Sequence, residues 1–193
     1  MGPTTYTHQA ETSPLTTIGP RRRAGFPPRS DRATVAVCRS SRPAGRPRVE
    51  SDGVKVLLTG ADPSIRDMMR LAIASIDRRI AERLEFLEAA DGERGAALAW
   101  RHLPDLVVAD EISSRAGAFA LARDLRFAAQ PFPGAIVILL DRPHDQWLAR
   151  WSGADAWFVK PADPFALADT ALELLRERGL VPGVSAAAAE GIA

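Results

Sequence analysis

The chain has 193 residues, 46% of them hydrophobic and 25% charged, with a formal net charge of +1. That length suffices for one domain with a sizeable core, and no apolar run approaches the ~20 residues needed to span a bilayer. A single cysteine, Cys38, excludes an internal disulfide and fits a reducing, cytoplasmic setting, and the N-terminus has no apolar h-region of a secretory signal.

The small net charge hides an asymmetry. Residues 1–50 carry nine arginines against Glu11, Asp31 and Glu50, so a basic arm precedes an acidic domain. Residues 1–52 hold seven prolines and no periodic apolar pattern, and they read as disordered, with nothing to offset the entropy of ordering. Thr34-Val35-Ala36-Val37 is too short to assign as a strand. The arm has neither aromatic interleaving nor a helical register for its arginines. Nucleic-acid contact therefore rests on charge alone, and an inert tail is the simpler reading.

From Val54 strands and helices alternate. Val54–Leu58 is a short leucine- and valine-rich run of the kind found in buried parallel strands. Asp62-Pro63 opens a helix, Asp62 as N-cap and Pro63 in the first turn. Ile65, Met68, Met69, Leu71, Ala72 and Ile76 mark its apolar face, and the periodicity carries it toward Arg83. Leu84–Ala89 is a second strand, followed by an Asp91-Gly92 turn and a small-residue helix over Gly95–Arg101. Leu106–Ala109 is the third strand, with Asp110 at its end. A loop over Glu111–Ala116 leads to a helix over Ala118–Ala129. Ile136–Leu140 is the fourth strand, Asp145–Ser152 a short helix, and Ala156–Val159 the fifth strand, ending in Lys160-Pro161. Asp163-Pro164 caps a last helix through Arg178, which Gly179 and Pro182 stop.

Five strands alternating with five helices imply an α/β fold, a doubly wound parallel sheet covered on both faces. The expected order is 2-1-3-4-5, with a binding edge at the carboxyl ends beside the switch point. Asp110, Lys160, Thr59, Gly60 and Ala61 fall on that edge. Residues 53–179 form the domain, with a flexible tail over 180–193.

His102–Asp110 and Gly153–Pro161, with Asp62–Arg66 and Glu88–Gly92 in order between the right strands, closely resemble the receiver domain of two-component response regulators, the CheY-like fold. The resemblance covers about Val54 to Arg178. It implies that Asp110 stands at the phosphoacceptor position, that Lys160 is the lysine paired with phosphoryl oxygens, and that Ile112 supplies a backbone carbonyl. It also implies an acidic pair holding Mg²⁺ after strand one, and that pair falls on Gly60 and Ala61, which offer no side-chain ligand. The Ser/Thr position after strand four falls on Leu140 or Asp141, and the usual Met-Pro after the acceptor is Ser113-Ser114. Trp157 takes the place of the aromatic that reports activation, without a hydroxyl partner on strand four.

With the metal acids replaced, Asp110 and Lys160 read first as a self-neutralising charge pair. Asp62 and Glu111 are the acids left as makeshift metal ligands, although a helix cap explains Asp62 and a solvated loop charge explains Glu111. Trp147, Trp151 and Trp157 are candidates for a partner surface, against plain packing. His8, His102 and His144 show no metal spacing. The expectation is a stand-alone receiver-like domain without an output domain. It is not an enzyme and needs no cofactor, and it acts by protein contact through the face of helix four, strand five and helix five, with a histidine kinase or a regulator as partner and a homodimer left open. The alternative is a working receiver phosphorylated on Asp110 with Mg²⁺. An enzyme on a flavodoxin-like sheet lacks a nucleophile–base pair and a glycine-rich phosphate loop.

Overall fold

A computed structural model describes residues 36–37, 53–112 and 116–181. The rest of the basic arm, residues 113–115 with Ser113-Ser114 among them, and the tail from residue 182 lie outside the described residues. In chain order the elements are β1 (Ala36–Val37), β2 (Gly53–Thr59), α1 (Pro63–Ala74), β3 (Arg83–Ala89), α2 (Gly92–His102), β4 (Leu106–Asp110), α3 (Ala118–Arg126), β5 (Ala135–Leu140), α4 (Gln146–Ser152), β6 (Ala156–Val159) and α5 (Pro164–Glu177).

Five strands run parallel in the order β3-β2-β4-β5-β6, which is the expected 2-1-3-4-5 sheet. Alternation along the central strands divides the core into two layers. Val56, Leu58, Val108 and Phe158 pack with Met69, Ile73, Leu172 and Leu175 of α1 and α5. Leu57, Val107, Ala109 and Trp157 pack on the other side with Ala99, Leu121, Leu125 and Ala149 of α2, α3 and α4. β4 and β5 are buried throughout, as strands covered on both faces must be.

Asp62 caps α1 by accepting from the Ser64 N–H at 2.8 Å. The helix does not run on toward Arg83 as the periodicity predicts. The Ser75 hydroxyl donates to the Ala72 carbonyl at 2.6 Å, and a 3-10 turn over Ser75–Arg79 follows, which keeps Ile76 buried. α2 starts earlier than predicted, at Gly92, because Asp91 accepts from the Arg94 N–H at 2.8 Å and caps it. Gly92 is required there, since a Cβ would run into the Ala116 carbonyl.

Within the 1–52 arm, Ala36–Val37 pairs antiparallel with β6, Ala36 opposite Trp157 and Val37 opposite Ala156, and adds a sixth strand at the sheet edge. Two residues gain about 1 kcal/mol per hydrogen bond and lose about 1–2 kcal/mol each on ordering, so this pairing stands close to balance.

Candidate functional site

The carboxyl ends of β2, β4, β5 and β6 converge on Asp110. As the last residue of β4 it is only 3% exposed, and its Oδ1 accepts from the Lys160 ammonium at 2.8 Å. Lys160 follows β6, and its Nζ lies 3.6 Å from Asp141 Oδ1. The ammonium thus bridges a buried and a rim carboxylate. Burial alone would lower the Lys160 pKa, but the hydrogen bond and charge of Asp110, with Asp141 behind them, outweigh it and hold the pKa above its ordinary value.

Glu111 bonds to the loop after β5. Its Oε2 accepts from the Asp141 N–H at 2.7 Å and ties the loop after β4 to the loop after β5. Burial pushes its carboxyl up. The Asp141 N–H and Lys160 oppose that, while the charges of Asp145 and Asp141 add to it. A carboxyl whose pKa is raised by folding stabilises the fold below its unfolded pKa, and that contribution is lost as pH rises through the folded value. Glu111→Gln is therefore expected to raise stability at pH 7 by less than about 1 kcal/mol. The gain should vanish once the pH falls below the ordinary value of 4.5. Thermal melts at pH 7 and pH 4 check this, and an equal gain at both would contradict it.

Gly60 faces Asp110 closely: a Cβ placed on it would lie 3.1 Å from the Asp110 Cβ. The ends of β2 and β4 are drawn together by a few tenths of an ångström more than a side chain at residue 60 comfortably allows. Arg66, one turn into α1, donates from Nη1 to the Gly60 carbonyl at 2.6 Å and reaches the Ala61 carbonyl at 3.4 Å. Its Nε donates to Glu88 at 3.3 Å, and Arg70 binds the other oxygen of the same carboxylate. Hydrogen bonding from Arg70 and then Arg66 holds the Glu88 carboxyl below its ordinary value. A guanidinium thus borders the place where metal acids were expected. Sequence reasoning missed this trio, although the i, i+4 spacing of Arg66 and Arg70 on one helix face was its signal.

The structure separates the two positions expected after strand four. Leu140 is fully buried in the same layer as Trp157, and Asp141 sits on the rim beside Lys160. The Trp157 indole N–H is buried with no hydrogen-bond partner, in keeping with a strand four that offers no hydroxyl. Trp157 is 1% exposed and does not contribute to a partner surface, a correction to its expected place there. A short parallel strand is covered on both faces, so an aromatic in it goes inward. Trp147 and Trp151 are 63% and 52% exposed, and Arg123 lies between the Trp151 and Phe127 rings, 3.9 and 4.9 Å from their centroids.

Of two relatives in Mycobacterium tuberculosis, from strains H37Rv and CDC 1551, each is described as an uncharacterized response regulatory protein. Each is 29% identical over 126 residues, covering 65% of this chain and 94% of the relative. The chemotaxis protein CheY4 of Vibrio cholerae superposes with a TM-score of 0.55 at 26% identity, covering 64% of this chain and 99% of that one. The receiver domain of Klebsiella pneumoniae RstA, in a BeF3-activated form, gives 0.52 at 27% identity, covering 63% and 98%. The fold is that of CheY-like receiver domains. No family model matches its sequence.

For a receiver domain the implied metal is Mg²⁺, which wants six hard oxygens, several of them anionic or water. The donors near Asp110 do not meet that demand. Asp110 Oδ1 is engaged by Lys160, Glu111 Oε2 by the Asp141 N–H, Glu88 by two arginines and Asp62 by its cap. Gly60 and Ala61 add no side-chain oxygen, and their carbonyls face the Arg66 guanidinium. Among the described residues no group of three or more His, Cys, Asp or Glu could hold a metal ion. The residues of this site do not fit Mg²⁺.

Proposed function

We propose that this receiver domain is a pseudo-receiver, a signalling module that works by binding a protein partner without obligatory phosphorylation of Asp110. The observation that carries the reading is the replacement of the metal acids by Gly60 and Ala61, with Lys160 2.8 Å from Asp110 and Arg66 on the Gly60 carbonyl. A phosphoryl donor brings negative charge toward a carboxylate, and transfer needs that charge neutralised as it develops. Here the fixed cations are already matched to carboxylates, so Asp110 is a poor acceptor and a balanced structural pair.

Partners dock in this reading on the face of α4, β6 and α5, where Trp147 and Trp151 give an exposed aromatic surface. A histidine kinase or a downstream regulator is the class of partner. The domain is not an enzyme, and it works in the cytoplasm. Among the described residues no helix is long and apolar enough to cross a membrane.

A second reading, a working receiver phosphorylated on Asp110, draws on the retained Asp110–Lys160 pair and on the BeF3-activated form of the similar RstA domain. Treatment with Mg²⁺ and a small phosphodonor separates the two. The pseudo-receiver reading expects Asp110 to stay unmodified.

A further inference from the structure

The β6 edge is the outer edge of the parallel sheet, and it belongs to the face on which the proposed function places the partner. It is not open. Ala36 and Val37 occupy it in antiparallel register, opposite Trp157 and Ala156. They cover half of a strand of four residues, Ala156–Val159. Unpaired strand edges recruit other strands, and many recognition events consist of adding one extended segment to such an edge. From the structure we infer that Ala36–Val37 is a cis-acting cap on β6, an intramolecular occupant of a strand-addition site that must leave before an extended segment of a partner can pair there. The inference rests on the reading of the α4-β6-α5 face as the docking face.

Three observations support an exchangeable cap over a fixed part of the sheet. The strand is two residues long, against seven in β2 and six in β5, and its pairing stands near balance. Residues 38–52 separate it from β2, and three strands lie between the two in the sheet, so the cap can leave without disturbing any parallel strand pair. Its sequence neighbours, Thr34 and Val35, extend a β-branched, uncharged run of the kind that adds to an edge. A short tethered strand of this kind competes through its high local concentration, not through many contacts.

The test uses the full chain and two variants, Val37→Pro, which removes a backbone donor and fixes φ, and Val37→Thr, which keeps a β-branched residue. Hydrogen–deuterium exchange is followed on peptides spanning Ala156–Val159, with β4 as internal reference. A synthetic peptide of residues 31–40 is then added in trans to each protein and its binding measured by fluorescence anisotropy. The expected result is exchange over Ala156–Val159 faster by about three- to tenfold in Val37→Pro, with Val37→Thr and β4 unchanged, and peptide binding to Val37→Pro well above that to the unaltered chain. Identical exchange in all three proteins would overturn the cap. Faster exchange without peptide binding would overturn the strand-addition site. Neither result depends on whether Asp110 accepts a phosphoryl group, so failure here is distinct from failure of the pseudo-receiver reading.

Discussion

Asp155→Ala is expected to be the most damaging single substitution at a polar residue of this domain, with a loss of about 3–5 kcal/mol. Asp155 stands just before β6 at the amino end of the sheet, 4% exposed, and its Oδ2 gathers three donors. The Ile136 N–H donates at 2.8 Å, Arg178 Nη2 lies at 3.1 Å, and Arg126 Nη2 completes the set. Arg126 is itself buried, and it also donates to the Phe132 and Gly153 carbonyls at 2.5 and 3.1 Å. Removing the carboxylate takes its charge away from a buried guanidinium, and it also strips the acceptor from the Ile136 N–H of a central strand. Arg126→Met should cost less, because Arg178 still faces Asp155. Chemical denaturation of the two variants checks the order, and a milder effect of Asp155→Ala than of Arg126→Met would contradict it.

The second large effect is expected at the site. Lys160→Met should destabilise the fold by about 2 kcal/mol, the scale of a lost charge-assisted hydrogen bond to a buried group. Asp110, 3% exposed, is left without the ammonium that balances it. Adding Asp110→Asn to the same chain should recover part of the loss, because the pair costs less to remove whole than to break. The pH dependence follows from the raised Lys160 pKa. A lysine whose folded pKa lies above its unfolded value contributes fully below the unfolded value and loses that contribution as pH rises through the folded one. The deficit of Lys160→Met should then be constant between pH 7 and pH 9 and shrink only above the ordinary value of 10.5. Denaturation of the single and double variants across that range measures both effects. A double variant as unstable as the sum of the two single ones would show that the pair is not coupled.

Much of the fold was legible because its signals are local. Asp62-Pro63 and Asp163-Pro164 place a capping carboxylate and a proline at two helix starts, and each side chain makes its cap, with Ser64 and Phe165. Apolar runs such as Ile136–Leu140 give buried parallel strands whose length and order define the sheet. Periodicity misleads where another contact or burial overrides it. Ile76 continues the apolar face of α1 and by periodicity carries the helix toward Arg83, yet Ser75 bonds back to Ala72 and the chain tightens into a 3-10 turn. Residue type groups Trp157 with Trp147 and Trp151, whereas strand burial decides its place. At the site, the Asp110–Lys160 pair followed from two strand ends reaching one edge. Arg66 on the Gly60 carbonyl and the Arg126–Asp155 pair did not, because each joins residues 6 to 29 positions apart through geometry that no local pattern encodes.

Whether Asp110 can accept a phosphoryl group separates a pseudo-receiver from a working receiver. The full chain and its Asp110→Asn variant are incubated with Mg²⁺ and a small phosphodonor, and separately with beryllofluoride. Intact mass and tryptophan fluorescence are recorded for each. A pseudo-receiver predicts no added phosphoryl mass and no beryllofluoride-dependent change in fluorescence in either protein. Stoichiometric modification of the unaltered chain, absent from Asp110→Asn, would contradict it and establish a working receiver.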